Sequence, residues 1–181
     1  MKRQIRNMVF ETNSSSTHSI AISKAPVTVG KYIHFGIGEF GWENDCVDTA
    51  NYLYTAILDQ YDADELLGKL KQILYNHSIE YEFEEPKYRT SRDGTCKWLD
   101  YGYVDHSSET REFIFAVLDD EDLLMRCLFG DSCVYTGNDN QDDRPSGCNI
   151  ANETYYDWDA NEEKPNPYHD PENYDYFYKS N

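Results

Sequence analysis

Residues 10–19 read Phe-Glu-Thr-Asn-Ser-Ser-Ser-Thr-His-Ser, a concentration of reactive and ligating groups set between Met8-Val9-Phe10 and Ile20-Ala21-Ile22. Each hydroxyl both donates and accepts, and an imidazole does either or both. Ser14, Ser15 and Ser16 beside His18 are the raw material of an activated nucleophile, given an acid to orient the ring. Successive N–H groups in a Ser/Asn-rich turn can also converge on an anion, and Asn13 tolerates the left-handed backbone such a turn needs. Glu11, Asn13, Ser14, Ser15, Ser16, Thr17, His18 and Ser19 are therefore candidate ligand-binding residues. The same run also suits a solvated turn whose hydroxyls cap its own backbone.

Three further polar blocks carry similar groups. Asp105-His106-Ser107-Ser108 sets an imidazole beside a carboxylate and hydroxyls. Gly38-Glu39-Phe40-Gly41-Trp42-Glu43 places two carboxylates among glycines, where backbone can approach a ligand closely. Gly137-Asn138-Asp139-Asn140 is turn chemistry. If the protein is an enzyme, Ser14, Ser15, Ser16, His18, Asp105 and His106 are its catalytic candidates, and Glu39, Asn138, Asp139 and Asn140 join the ligand-binding set. His18, Asp105 and His106 are ligand types for a divalent metal, the cofactor such a site would take. The 138–143 stretch is not an EF-hand loop, because Asp143 stands where the glycine is required. The chain has no Walker loop, no G-x-G-x-x-G, no H-E-x-x-H and no zinc-ribbon spacing.

Hydrophobic periodicity predicts the elements that position these groups. Residues 4–10 and 17–23 read as strands flanking the serine run, the second with His18, Ile20 and Ile22 on one face. Residues 31–37 form a third strand. Helices follow over 45–59, with a stripe of Ala50, Leu53, Tyr54, Ile57 and Leu58, and over 62–77, with Leu66, Leu70, Ile73 and Leu74. Their short connection makes a helical hairpin, and Asp62 with Glu65 resembles a capping box. Residues 79–84 alternate as a strand with Ile79, Tyr81 and Phe83 inward, 86–95 form a polar loop, and 96–104 form another strand. Residues 109–129 are helical and break at Asp119-Asp120-Glu121-Asp122, where carboxylates suit a new helix N-terminus. Residues 132–136 read as a final strand. The expectation is an α+β domain over 1–140 with a mainly antiparallel sheet. From 141 to 181 aliphatic residues nearly vanish, and a tail rich in acid, Tyr, Pro and Asn is expected to be disordered or to pack on the domain or a partner.

The net charge of −18 across 181 residues is graded along the chain: +3 over 1–30, −7 over 31–100 and −14 over 101–181. That field repels free nucleic acid and anionic membranes and favours a basic host or phage protein as partner. The five cysteines form no C-x-x-C pair, and charged residues at the start lead into the serine run without an apolar segment. Reduced thiols in a cytosol are the expectation.

Four blocks together carry a resemblance: 9–19, Phe35 to Glu43, Tyr103 to Ser108, and Thr136 to Asn140. They resemble an uncharacterised family of phage and bacterial proteins that open with an F-E-T-N-S-S-S-x-H-S motif. The likeness spans roughly residues 3–140 and implies a mobile-element setting, but no reaction. Two functional expectations follow. The first is a non-catalytic, phage-associated accessory protein that binds and inhibits a host macromolecule by imitating nucleic-acid charge, as an anti-defence inhibitor does. The second is a metal-dependent hydrolase or a phosphate- or nucleotide-binding protein built on the serine run, His18 and His106.

Overall fold

The computed structural model describes residues 16–41, 45–105, 107–138, 153–157 and 159–179. The expected strand over 4–10 lies outside them. The fold is α+β and its sheets are mostly antiparallel.

Helix α1, Thr49–Leu58, is the element around which the rest is packed. The predicted stripe understates it: Tyr52, Thr55 and Ala56 are also buried, and Asn51 alone in the helix retains intermediate exposure. A helix covered on every side sits inside the core rather than on its surface. It begins later than the periodicity predicts. Asp48 is the N-cap, its carboxylate accepting from the Asn51 N–H at 2.8 Å. Residues Asp45–Val47 instead form strand β4.

Strands β1 (Ser16–Ser23), β4, β9 (Ser132–Asn138) and β12 (Tyr174–Lys179) form an antiparallel sheet in the order β12-β1-β9-β4. His18, Ile20 and Ile22 share a face as predicted, and Ser19 and Ala21 on the opposite face are buried too. The reason lies in the C-terminal region. Tyr168, Tyr174 and Tyr176 pack over Ala21 and Tyr135, and the Tyr176 hydroxyl donates to Ser19 Oγ at 3.2 Å. From the same strand, Phe177 packs on Phe113 with ring centroids 5.5 Å apart. The 132–136 strand is thus not the last: β10 (Thr154–Asp157) and β11 (Glu162–Pro165) form a hairpin before β12.

Helix α2, Ala63–Asn76, buries Leu66, Leu70, Ile73 and Leu74 as the spacing predicts. The capping box does not form. The Asp62 carboxylate is taken by Arg111, whose two terminal nitrogens donate at 2.8 and 2.9 Å. A bidentate pair between two charged groups outweighs a single bond from a backbone N–H. Helices α3 (Arg111–Asp119) and α4 (Glu121–Phe129) break in the predicted acidic segment, with Asp120 capping α4 by accepting from the Leu123 N–H.

Short strand pairs close the remaining flank. β2 (Tyr32–Phe35) runs parallel to β5 (Glu80–Phe83), and β3 (Glu39–Phe40) parallel to β8 (Tyr103–Val104). The polar loop predicted over 86–95 contains β6 (Tyr88–Thr90), which forms a hairpin with β7 (Lys97–Leu99). The single strand predicted over 96–104 is therefore two. Gly102 separates them at φ +81°, where a Cβ would lie 2.1 Å from the Ile37 side chain. Tyr81 is exposed rather than inward; among the described strands β5 has only β2 beside it.

Candidate functional site

His18, the glycine-containing segment and Ser107 are each tied to α1 or to Gln60 just beyond it. His18 is fully buried, and its Nδ1 lies 2.7 Å from the hydroxyl of Tyr52, which is also fully buried. Burial drives the Tyr52 phenol far above its ordinary range, so it stays protonated. The Tyr52 ring meets Phe40 at 5.4 Å and Phe113 at 6.1 Å between centroids. His18 is thus held within an aromatic cluster, and neither ring of the pair reaches solvent.

The neighbouring residues of α1 hold the glycine-containing block. Asn51 Oδ1 accepts from the Gly36 N–H at 2.6 Å, and Thr55 Oγ1 accepts from the Gly38 N–H at 3.1 Å. Residues four apart lie on one helix face, so Asn51 and Thr55, on successive turns of α1, pin Gly36 and Gly38 of one segment. Glu84 continues the clamp. Its carboxylate accepts from the Ile37 N–H at 2.8 Å and from the Tyr101 hydroxyl. Those bonds, Tyr101 first, hold Glu84 below the usual carboxylate range.

Asp105 follows β8. Its N–H donates to the Phe40 carbonyl at 2.8 Å, and its side chain abuts Gly41, where an added Cβ would lie 2.5 Å from the Asp105 Cβ. The Ser107 carbonyl accepts from Gln60 Nε2 at 2.8 Å and from Thr110 Oγ1 at 2.6 Å. This ties the 103–108 block to the C-terminal end of α1. At the open end of the main sheet, Ser16 is paired with Asn138 and Thr17 with Gly137. The backbone therefore brings Ser16 and Thr17 beside Gly137 and Asn138. Thr136 lies opposite His18 in the same ladder and is buried.

Of the predicted site residues, Glu11, Asn13, Ser14, Ser15, His106, Asp139 and Asn140 lie outside the described residues. Ser16, Thr17 and Asn138 are placed through their backbone. Ser19 is buried under Tyr176, whereas Glu39 is exposed on β3. Among the described residues no group of three or more His, Cys, Asp or Glu side chains is arranged to hold a metal ion. No described helix is long and apolar enough to cross a membrane. Sequence reasoning misses Tyr52, Asn51, Thr55 and Glu84. Asn51 and Thr55, polar residues inside an apolar helical pattern, are the available signal.

The surface has a different chemistry. Among the residues whose burial is described, Asp59 is the one buried acid; the other carboxylates are exposed or half-exposed. Exposed Glu80, Glu82 and Glu85 follow one another along β5 and its exit, and Asp119, Asp120, Glu121 and Asp122 mark the α3–α4 junction. No protein-family model matches the chain, and neither curated proteins nor solved structures yield a match.

Proposed function

We propose that this protein is a non-catalytic accessory protein of phage type that binds a basic surface of a host macromolecule and inhibits it, as an anti-defence factor would. The observation that carries this reading is the outward placement of the acid excess. A chain of net charge −18 keeps nearly every described carboxylate at its surface. Such a surface repels phosphates and attracts the grooves that bind them. Burial of the His18–Tyr52 pair supports the same reading, because a ring with no exposed surface is poorly placed to touch a substrate.

A second reading has one observation in its favour. In the β1–β9 ladder Ser16 is paired with Asn138 and Thr17 with Gly137, which sets two chain segments rich in hydroxyl and amide groups side by side, groups able to bind a phosphate. Native mass spectrometry separates the two. For the inhibitor reading, the protein carries no stoichiometric metal or nucleotide and forms a discrete complex with a basic host protein that dissolves in salt. A stoichiometric nucleotide or metal, with no such complex at low salt, would overturn it.

A further inference from the structure

Residues 86–99 invert the charge of the chain. They carry Lys87, Arg89, Arg92 and Lys97 against Asp93, a net +3 within a protein whose remaining residues sum to −21. All four cations are exposed, on the β6–β7 hairpin and its flanks. Residues directly opposite in an antiparallel pair share a face, and so do residues two apart on one strand. Tyr88 opposite Leu99, and Thr90 opposite Lys97, therefore form one face. Leu99 is buried, so that face turns toward the body, and Lys97 Nζ lies over the Tyr88 ring at 3.7 Å. The other face carries Arg89 opposite Trp98, with Lys87 two residues before Arg89 and Asp100 two residues after Trp98. An ion pair between Arg89 and Asp100 across the strands agrees with this assignment. The Arg89 side chain is still 67% exposed within that pair, and Trp98 is half-buried. Asp93 is engaged by its own turn: its carboxylate accepts from Ser91 Oγ at 2.6 Å, and from the Thr95 N–H and hydroxyl at 3.1 and 2.8 Å.

We propose that the outward face of this hairpin binds single-stranded nucleic acid, with Trp98 stacking on a base and Lys87 and Arg89 meeting the phosphates beside it. An aromatic ring stacks on any nucleobase, and a guanidinium matches a phosphate in bidentate geometry. An acidic peptide would answer the two cations but leave the indole between them without a role. The field of the remaining −21 does not bar contact at close range, because exposed charges are screened beyond about 8 Å at physiological salt. It does disfavour a duplex, which brings a second row of phosphates toward the acidic body. The inference is separate from the acidic-binder reading, which concerns the rest of the surface.

The test is fluorescence anisotropy of a labelled oligothymidylate of about twelve nucleotides, titrated with the full chain at about 50 mM salt. Lys87→Gln with Arg89→Gln, and separately Trp98→Leu, are compared with the exposed α2 pair Lys69→Gln with Lys71→Gln. The proposal expects each hairpin variant to bind at least about fivefold more weakly, and the α2 pair to change affinity by no more than about twofold. Trp98→Phe, which keeps a stacking ring, should retain most of the affinity. Asp100→Asn releases Arg89 and removes a carboxylate from the face, so it should bind more tightly, a gain that a purely structural role would not produce. Thermal melts check that Trp98→Leu is folded; if it is not, the exposed Lys87 and Arg89 pair decides the matter. Absence of binding by the unaltered protein overturns the proposal, and so does an equal loss in the α2 pair. A labelled polyglutamate peptide that binds as tightly as the oligonucleotide and ignores Trp98→Leu also overturns it, by making the hairpin a site for an acidic protein segment. Each of these results leaves the acidic-binder reading standing, because that reading is tested on basic host proteins.

Discussion

At the scale of single residues, the buried His18–Tyr52 pair decides how the serine-rich motif is read. The motif places an imidazole beside hydroxyls, but β-strand alternation turns His18 toward the core, where α1 presents a phenol. Removing the ring leaves a cavity and takes a buried hydroxyl's partner away. His18→Ala should cost about 2 to 4 kcal/mol in urea unfolding. Tyr52→Phe, which keeps the ring, should cost about 1 to 3 kcal/mol. Changes within about 0.5 kcal/mol, the usual range for surface substitutions, would contradict the buried pair. The Asp62–Arg111 clamp makes a second prediction. Hydrogen bonds from Arg111 hold the Asp62 carboxyl below its ordinary range. A group with a depressed folded-state pKa stabilises the fold above its unfolded value, about 3.9 for Asp, and loses that contribution as pH falls through the folded value. Asp62→Asn should therefore melt at a lower temperature than the parent at pH 7 and converge with it between about pH 4 and pH 2. A constant gap across that range would exclude the clamp as the cause.

At the scale of elements, what the sequence makes legible depends on which side chains signal burial. The α2 stripe and the α3–α4 break are readable because Leu, Ile and clustered acids mark them unambiguously. The all-round burial of α1 is not, since Tyr52 lies off the predicted stripe, Thr55 is polar, and their partners, His18 and Gly38, lie far away in sequence. Strand β12 is hidden for a related reason. Tyr174-Asp175-Tyr176-Phe177 lacks aliphatic residues, although aromatic side chains favour strands. Asp175 pairs with Arg126 at 2.8 Å, a contact that links β12 to α4. Within the candidate site, the convergence of Ser16 with Asn138 depends on the β1–β9 register, which no single segment encodes. The end of α2 offers a clean local test. Ile79 N–H donates to the Leu74 carbonyl and Ser78 N–H to the Tyr75 carbonyl, the pattern of a Schellman cap, with Ser78 at φ +56°. Glycine adopts that conformation without a steric penalty. Ser78→Gly should stabilise the protein by about 0.5 to 1 kcal/mol, read as a raised melting temperature. A lowered one would show that the serine side chain contributes more than its backbone costs.

At the scale of the whole molecule, two chemistries are segregated. The interior is built from tightly packed aromatic and aliphatic side chains around α1, with its polar atoms engaged by the conspicuous motifs. The exterior is acidic. Of the motifs that first attract a chemical reading, His18, Gly38 and Ser107 contribute to architecture, and under the proposed function recognition falls to the surface. Both the net charge and its grading are plain in the composition. The parallel pairing of β2 with β5 is not, because its members lie 48 positions apart, as in Tyr32 and Glu80. The most direct measurement is competition. The purified protein is titrated into complexes of duplex DNA with a panel of basic host DNA-binding proteins and nucleases. The account predicts that at least one is displaced from DNA, that the concentration required rises in proportion to DNA, and that the effect weakens at least tenfold between 50 and 200 mM salt, as release of an electrostatic contact demands. Failure to displace any of them at 50 mM salt, with the protein folded, would contradict it.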